Sequence, residues 1–376
     1  MTTVLLLDID GVLVNPGGYR AALHATLDHF AGLMGSPRLD IPEENLEELE
    51  RRGITSEWDM VPLLLGALWN DILSRQPSMK LPADLPSAAV EIGRFIDDSV
   101  RTDLSVPEFT LAAGQCPAES ALQQGCYSYI PLDLRRNLLH DTRNIHFSQT
   151  MRLFQHFTLG SRMFAQTYDL PPEVDTDSLL LLHDQSNIDE SMRSKLCQPG
   201  IHLAAFTARP SALPRGVNDF QLGYAPEAEL ALEIVKLPNI PLIAFGKLQY
   251  IASQHDLDPV TLLKPSPFQA LAAVAAALTG EEMLALQAAY EWHRTGQLNG
   301  VFMELPRTFD LTVVVDTMGG IRSTWAAGEI LQRSGFDATV QAFGMTSGSD
   351  LKAVPFREAD VPYFNDWKTL MTRLVP

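Results

Sequence analysis

Four apolar runs, residues 201–206, 240–245, 311–315 and 338–343, alternate with helical stretches in the second half of this chain, and a fifth, residues 3–7, stands about 190 residues ahead of them. Short runs that are apolar throughout, rather than at alternate positions, are expected of strands covered on both faces of a parallel sheet. The stretches 226–236, 266–278 and 322–333 between them read as helices. Repeated alternation of this kind implies a layered α/β sheet. The first strand can join that sheet only if the chain leaves it and later returns. One α/β domain, residues 1–15 and 197–376, is therefore expected to be interrupted by an inserted, mainly helical domain, residues 16–196.

Within the insertion, Leu23, Leu27, Phe30 and Met34 recur on one helical face, with Gly35 placed to end the helix. Phe147, Met151, Phe154 and Phe157 mark a second face in a segment expected to run to about Tyr168, while prolines at 82–86 and 171–172 read as breaks. Gly17-Gly18 and Pro199-Gly200 are the expected hinges of a lid that closes over Asp8. A chain of 376 residues, 46% apolar and 20% charged, is long enough for two or three domains and has the profile of a folded protein. Its 28 Lys and Arg against 46 Asp and Glu give a formal charge of −18, which argues against a nucleic-acid partner.

Cys116, Cys126 and Cys197 form neither a CxxC pair nor a disulfide framework, which fits a reducing compartment. The first apolar run has no basic leader and is broken by Asp8, unlike a secretory signal. No run approaches the roughly 18 apolar residues of a membrane span. The expectation is a soluble, cytoplasmic protein with no membrane partner, its oligomeric state left open.

Asp8-Ile9-Asp10-Gly11-Val12-Leu13-Val14 follows the first run directly. Both carboxylates thus fall at the carboxyl end of a strand, where open α/β sheets hold their ligands. Two acids at i and i+2 can divide labour. An ionised one attacks an electrophile, and the other protonates the leaving group and then activates water. Like charges this close need a cation or a shared proton. Mg2+, which binds through few carboxylates, waters and a substrate phosphate, would serve. A turn merely capped by Asp8 and Asp10 is the alternative.

Three further residues add to the pair. Thr207 follows the run 201–206 as Asp8 follows the first, and its hydroxyl can bind a phosphate oxygen. Lys264, in Leu262-Leu263-Lys264-Pro265-Ser266-Pro267, stands just before a helix and can neutralise a carboxylate and a transferring phosphoryl group. Asp316 closes the run 311–315 and is the natural metal ligand. Taken singly, Thr207 reads as a turn residue, Lys264 as solvated and Asp316 as a helix cap. Their order along the chain makes the set specific.

In that order the set resembles the haloacid dehalogenase superfamily. Its motifs are DxDG with Thr or Val and then Leu or Val after the first strand, Ser or Thr after a second, Lys further on and often before Pro, and an acidic cluster after a later strand. The resemblance covers the α/β part, about 195 residues, and its first motif is the most distinctive. It implies a Rossmann-like parallel sheet core with the Asp8 strand central, between the Thr207 and Asp316 strands, and an aspartyl-phosphate mechanism. The inserted segment resembles the helical cap of the phosphoglycolate-phosphatase-like and phosphomutase-like branches, at unusual length.

By the same resemblance Asp8 is the nucleophile and a Mg2+ ligand, and Asp10 is the general acid/base that lends its backbone carbonyl to the metal. Thr207 and Lys264 hold phosphate, and Asp316 completes the protein ligands. Two features depart from the pattern. Gly319-Gly320 stand where the fourth motif usually carries a second acid, and the interval from Lys264 to Asp316 is long, filled by the helical stretch 281–294. A tight turn accounts for the glycines as well as a depleted metal site does, and Asp310 or the Asp350 region are other sources of an acid.

The expected function is a Mg2+-dependent phosphohydrolase acting on a small phosphorylated metabolite, a phosphomonoester. A dehalogenase is disfavoured by Asp10, which such chemistry does not need. A phosphomutase uses the same residues, and a catalytically weak binding or regulatory protein would follow from the incomplete fourth motif. Substrate choice is expected to reside in the insertion, with Tyr19, Arg20 and Arg162 as contacts, although a surface Arg is more commonly a solvated ion-pair partner. His24, His29, His140, His146, His156 and His183 lack the spacing of a zinc site.

Overall fold

The computed structural model describes residues 2–36, 38–76, 78–95, 104–217 and 224–374. Among them lie strands β1 (Thr3–Leu7), β2 (Val14–Asn15), β3 (Gln185–Ser186), β4 (Ile201–Phe206), β5 (Leu242–Ile243), β6 (Thr308–Val315), β7 (Asp337–Met345) and β8 (Tyr363–Phe364). Six of these form one parallel sheet in the order β5-β4-β1-β6-β7-β8, and β2 pairs antiparallel with β3 in a separate ribbon. The expected placing of β1 between the Thr207 and Asp316 strands is borne out: Leu7 pairs with Ala205 of β4 on one side and Val314 of β6 on the other.

Alternation along each strand explains why these runs are apolar throughout. Val4 and Leu6 of β1, Ala204 and Phe206 of β4, and Leu311, Val313 and Val315 of β6 share one core layer with the helix Pro267–Thr279. Leu5, Leu7, Leu203, Ala205 and Val314 face the opposite layer, packed by the helices Glu227–Ile234 and Trp367–Leu374. Helices therefore cover both faces, the arrangement that permits an all-parallel sheet. Six of the thirteen residues of Pro267–Thr279 are alanine, Ala270, Ala272, Ala273, Ala275, Ala276 and Ala277, and they let this helix lie close against β1 and β4.

Some boundaries differ from expectation. The run 240–245 yields only Leu242–Ile243 as strand, because Phe245 opens the helix Phe245–Ser253. The helix expected from 322 begins at Met318, so Gly319 and Gly320 lie in its first turn rather than in a loop. The two-residue strands β2, β3 and β8 are too short to leave a pattern in the sequence. The chain divides into two units, Met1–Pro16 with Asp184–Pro376, and Gly17–His183. Residues 184–196, read from the sequence as part of the insertion, thus belong with the sheet, as does the Pro199-Gly200 pair.

In the unit Gly17–His183, the helix Gly18–Leu33 buries Leu23, Leu27 and Phe30 completely, as its spacing implies. It packs against the helices Glu57–Ser74, Leu85–Gly93, Gln149–Leu159 and Leu179–His183. The segment expected as one helix to Tyr168 is two, Gln149–Leu159 and Ser161–Tyr168, broken at Gly160. Gly160 has φ +79°, and a Cβ there would lie 2.8 Å from the Ser178 backbone nitrogen. Phe147 falls before the first of these helices and is exposed, while Leu153, Phe154 and Leu159 form the buried face. No helix among the described residues is long and apolar enough to cross a membrane.

Candidate active site

The parallel register sets the site. Asp8, Thr207 and Asp316 each follow the last residue, or nearly so, of three adjacent strands, and so stand at one edge of the sheet. Backbone bonds hold them there: Asp8 N donates to Val314 O at 3.0 Å and Thr207 N to Ile243 O at 3.2 Å. After Asp8 the chain folds on itself, with Gly11 N donating to Val14 O (2.9 Å) and Leu13 and Val14 N donating to Ile9 O (2.9 and 3.0 Å). Trp367 Nε1 donates to Val12 O at 2.7 Å and pins the turn from outside. Gly11 is needed on two counts. Its φ is +71°, and a Cβ would lie 2.7 Å from Asp316 Oδ2.

Lys264 reaches the same edge from the loop before Pro267–Thr279. Its Nζ donates to Asp8 Oδ2 at 2.6 Å and to Phe206 O at 3.1 Å, and it lies 4.4 Å from the centre of the Phe206 ring. Gln269, one turn into that helix, donates through Nε2 to Thr207 O and Ile243 O, both at 2.8 Å, tying the lysine loop to the strand ends. Asp8 is buried, and its Oδ1 accepts from Ile9 N at 2.9 Å. Burial pushes its carboxyl up from 3.8 to about 6; Lys264 opposes the rise, and the nearby negative charges of Asp316 and Asp10 add to it. The Thr207 hydroxyl, also buried, accepts from Arg209 N at 3.2 Å and keeps its own proton to donate.

Three residues not anticipated from the sequence complete the cluster. Arg209 Nε donates to both Asp10 oxygens at 2.9 and 2.8 Å, and its Nη2 donates to Asp10 and to Asp184 Oδ2, the latter at 2.9 Å. The Arg209 side chain is 2% exposed and that of Asp184 0%, so each needs the other's charge. Lys352, from the helix Asp350–Glu358, donates through Nζ to Asp316 Oδ2 at 2.6 Å. Arg209 had a faint signal, an arginine two positions after Thr207 at the same strand end. Asp184 and Lys352 had none.

All five expected residues, Asp8, Asp10, Thr207, Lys264 and Asp316, thus gather at one edge of the sheet. Those expected to touch substrate from the insertion have other partners there. Arg20 pairs with Glu50 at 2.8 Å and Glu43 at 3.7 Å, Tyr19 stacks on Phe154 and meets Trp58 edge-on, and Arg162 is exposed. As for a metal, no group of three or more His, Cys, Asp or Glu side chains able to hold one occurs among the described residues. Mg2+ asks for less: one or two carboxylates, with water and substrate oxygens for the remainder. Asp8 and Asp316, close enough that the charge of Asp316 raises the carboxyl of Asp8, are two such carboxylates.

Over its whole length the chain is similar to the X-ray structure of the structural genomics target ZR25, with a TM-score of 0.63, 13% identity, and coverage of 100% of this chain and 99% of that one. At this identity the two share a fold. A phosphatase from Thermococcus thioreducens matches at a TM-score of 0.40 and 16% identity, over 90% of this chain and 91% of its own. A haloacid dehalogenase-like protein of unknown function from Agrobacterium tumefaciens matches at 0.38 and 14%, over 100% and 98%. No protein-family model matches the chain, and comparison with curated proteins finds no significant relative.

Proposed function

We propose that the protein is a phosphohydrolase of the haloacid dehalogenase type that acts on a small phosphomonoester through Asp8. The observation that carries the reading is the pairing of buried Asp8 with Lys264 at the sheet edge where Asp10, Thr207 and Asp316 also converge. In this mechanism an Asp8 oxygen attacks phosphorus as the bond from phosphorus to the ester oxygen breaks. Asp10 gives its proton to the leaving alkoxide. In the second half Asp10 takes a proton from water, the water oxygen attacks phosphorus, the bond to Asp8 breaks, and inorganic phosphate leaves.

Lys264 balances the charge of Asp8 and then of the phosphoryl oxygens, and Thr207 donates its hydroxyl to one of them. Arg209 orients Asp10 through two of its nitrogens. Asp8, Asp316 and the Asp10 carbonyl would hold Mg2+, which would supply neutralisation of phosphate charge. The unit Gly17–His183 serves as the cap domain and selects the substrate, by the resemblance of the inserted segment to such caps.

A generic aryl phosphate with Mg2+ tests the proposal. Turnover that disappears in Asp8→Asn supports it. No turnover of that compound or of a panel of phosphorylated metabolites would instead favour a binding or regulatory protein, for which the Lys352 contact on Asp316 is the favouring observation.

A further inference from the structure

The fourth motif is unusual in two ways that bear on each other. It lacks a second acid, and its one acid already carries a cation. The two glycines there have different reasons. A Cβ on Gly320 would lie 2.5 Å from Val315 Cγ1, so packing excludes a side chain. A Cβ on Gly319 would meet only Thr317 Oγ1 at 3.7 Å and Lys264 Cβ at 3.8 Å, ordinary contacts. No clash at the Cβ therefore requires a glycine at 319.

Lys352 arrives from the other side. Residues Ser347 (φ +50°) and Gly348 (φ +81°) turn the chain after β7, and the Ser349 side chain caps the helix by accepting from Lys352 N at 3.4 Å. The first turn of that helix then brings Lys352 Nζ to 2.6 Å from Asp316 Oδ2. Every carboxylate of the cluster consequently has a cationic partner from the chain itself: Asp8 has Lys264, Asp10 and Asp184 have Arg209, and Asp316 has Lys352. The partners differ in burial. The side chains of Lys264 and Arg209 are 10% and 2% exposed, that of Lys352 41%.

We propose that Lys352 is a built-in, displaceable counter-cation of Asp316, one that competes with Mg2+ for this carboxylate and swings into solvent when the ion binds. The inference rests on the metal reading given above. Its physical basis is that an ammonium and a hard divalent ion seek the same oxygen and repel each other, while a half-exposed lysine pair is weak enough to be displaced. The same lysine keeps Asp316 neutralised between turnovers, so the free protein holds Mg2+ loosely.

Titration calorimetry with MgCl2 on the full chain, without phosphate present, tests this in wild type, Lys352→Met and Lys352→Arg. Lys352→Met is expected to bind Mg2+ at least threefold more tightly, with Lys352→Arg near wild type because the charge is kept. Equal affinity in wild type and Lys352→Met would overturn the role of Lys352 and leave the metal reading standing. Absence of Mg2+ binding in all three proteins would overturn both. Lys352 is surface-exposed, so folding is expected to be intact, which a circular dichroism melt checks.

Discussion

Two buried lysine–carboxylate pairs lie in the unit that carries the sheet, and their direct contacts are nearly identical. Lys264 meets Asp8 at 2.6 Å and Lys247 meets Glu282 at 2.7 Å. What differs is the company they keep. Glu282 also accepts from Leu242 N at 3.0 Å and Arg215 N at 3.1 Å, so one carboxylate clamps β5, a loop and two helices together. Asp8 instead faces Asp10 and Asp316, and burial, with a smaller addition from their negative charges, raises its carboxyl to about 6. A buried ion pair is therefore no mark of a site by itself. Convergence with Thr207 and Asp316 at the carboxyl ends of adjacent strands is the distinguishing feature.

The sharpest separation of the two pairs comes from Asp8→Asn. Turnover is expected to fall by on the order of 10³-fold or more, as for loss of a covalent nucleophile, in a steady-state assay of a protein that still folds. Comparable turnover in Asp8→Asn would make the Asp8 pair structural, like the other. Lys247→Met should do the reverse. It strands the buried charge of Glu282 and is expected to cost about 3–5 kcal/mol in denaturant unfolding while turnover per folded molecule stays near wild type.

Next in size is Arg209→Gln, which releases Asp10 from its orienting contact. A fall of about 10²-fold in kcat, with little change in KM, is expected if Arg209 positions the acid rather than binds substrate. A change confined to KM would reassign it.

The smallest effect tests the burial of the Asp8 carboxyl. Because the carboxyl of Asp8 is raised in the folded protein, its protonation favours folding: the contribution is complete below the ordinary value of 3.8 and is lost as pH rises through about 6. Asp8→Asn, which never ionises, should thus gain on wild type between pH 4 and 7, by about 2–3 kcal/mol at the upper end. A difference in unfolding free energy that stays flat with pH would show that burial does not raise the Asp8 carboxyl.

Much of this was legible in order along the chain. Residues Asp8, Thr207, Lys264 and Asp316 each sit next to a run or turn that announces its own geometry, so a local pattern places them at strand ends or a helix start. Arg209, Asp184 and Lys352 carry no such pattern. Arg209 and Asp10 are 199 positions apart, and Lys352 and Asp316 are 36 apart. Phe147 shows the converse error, an apolar residue at helical spacing that the break at Gly160 and the start at Gln149 leave outside the buried face.

The sequence by itself determined the class of the sheet and the residues at its edge, because a strand buried on both faces must be apolar throughout and a strand end is marked where that run stops, while the central place of β1 was implied by the resemblance of its motifs alone. Only the tertiary structure decided which cation meets which acid, and where the chain crosses between its two units. Such contacts depend on the packing of segments far apart in the chain, and a lone charged residue looks the same in sequence whether it faces water or a buried carboxylate.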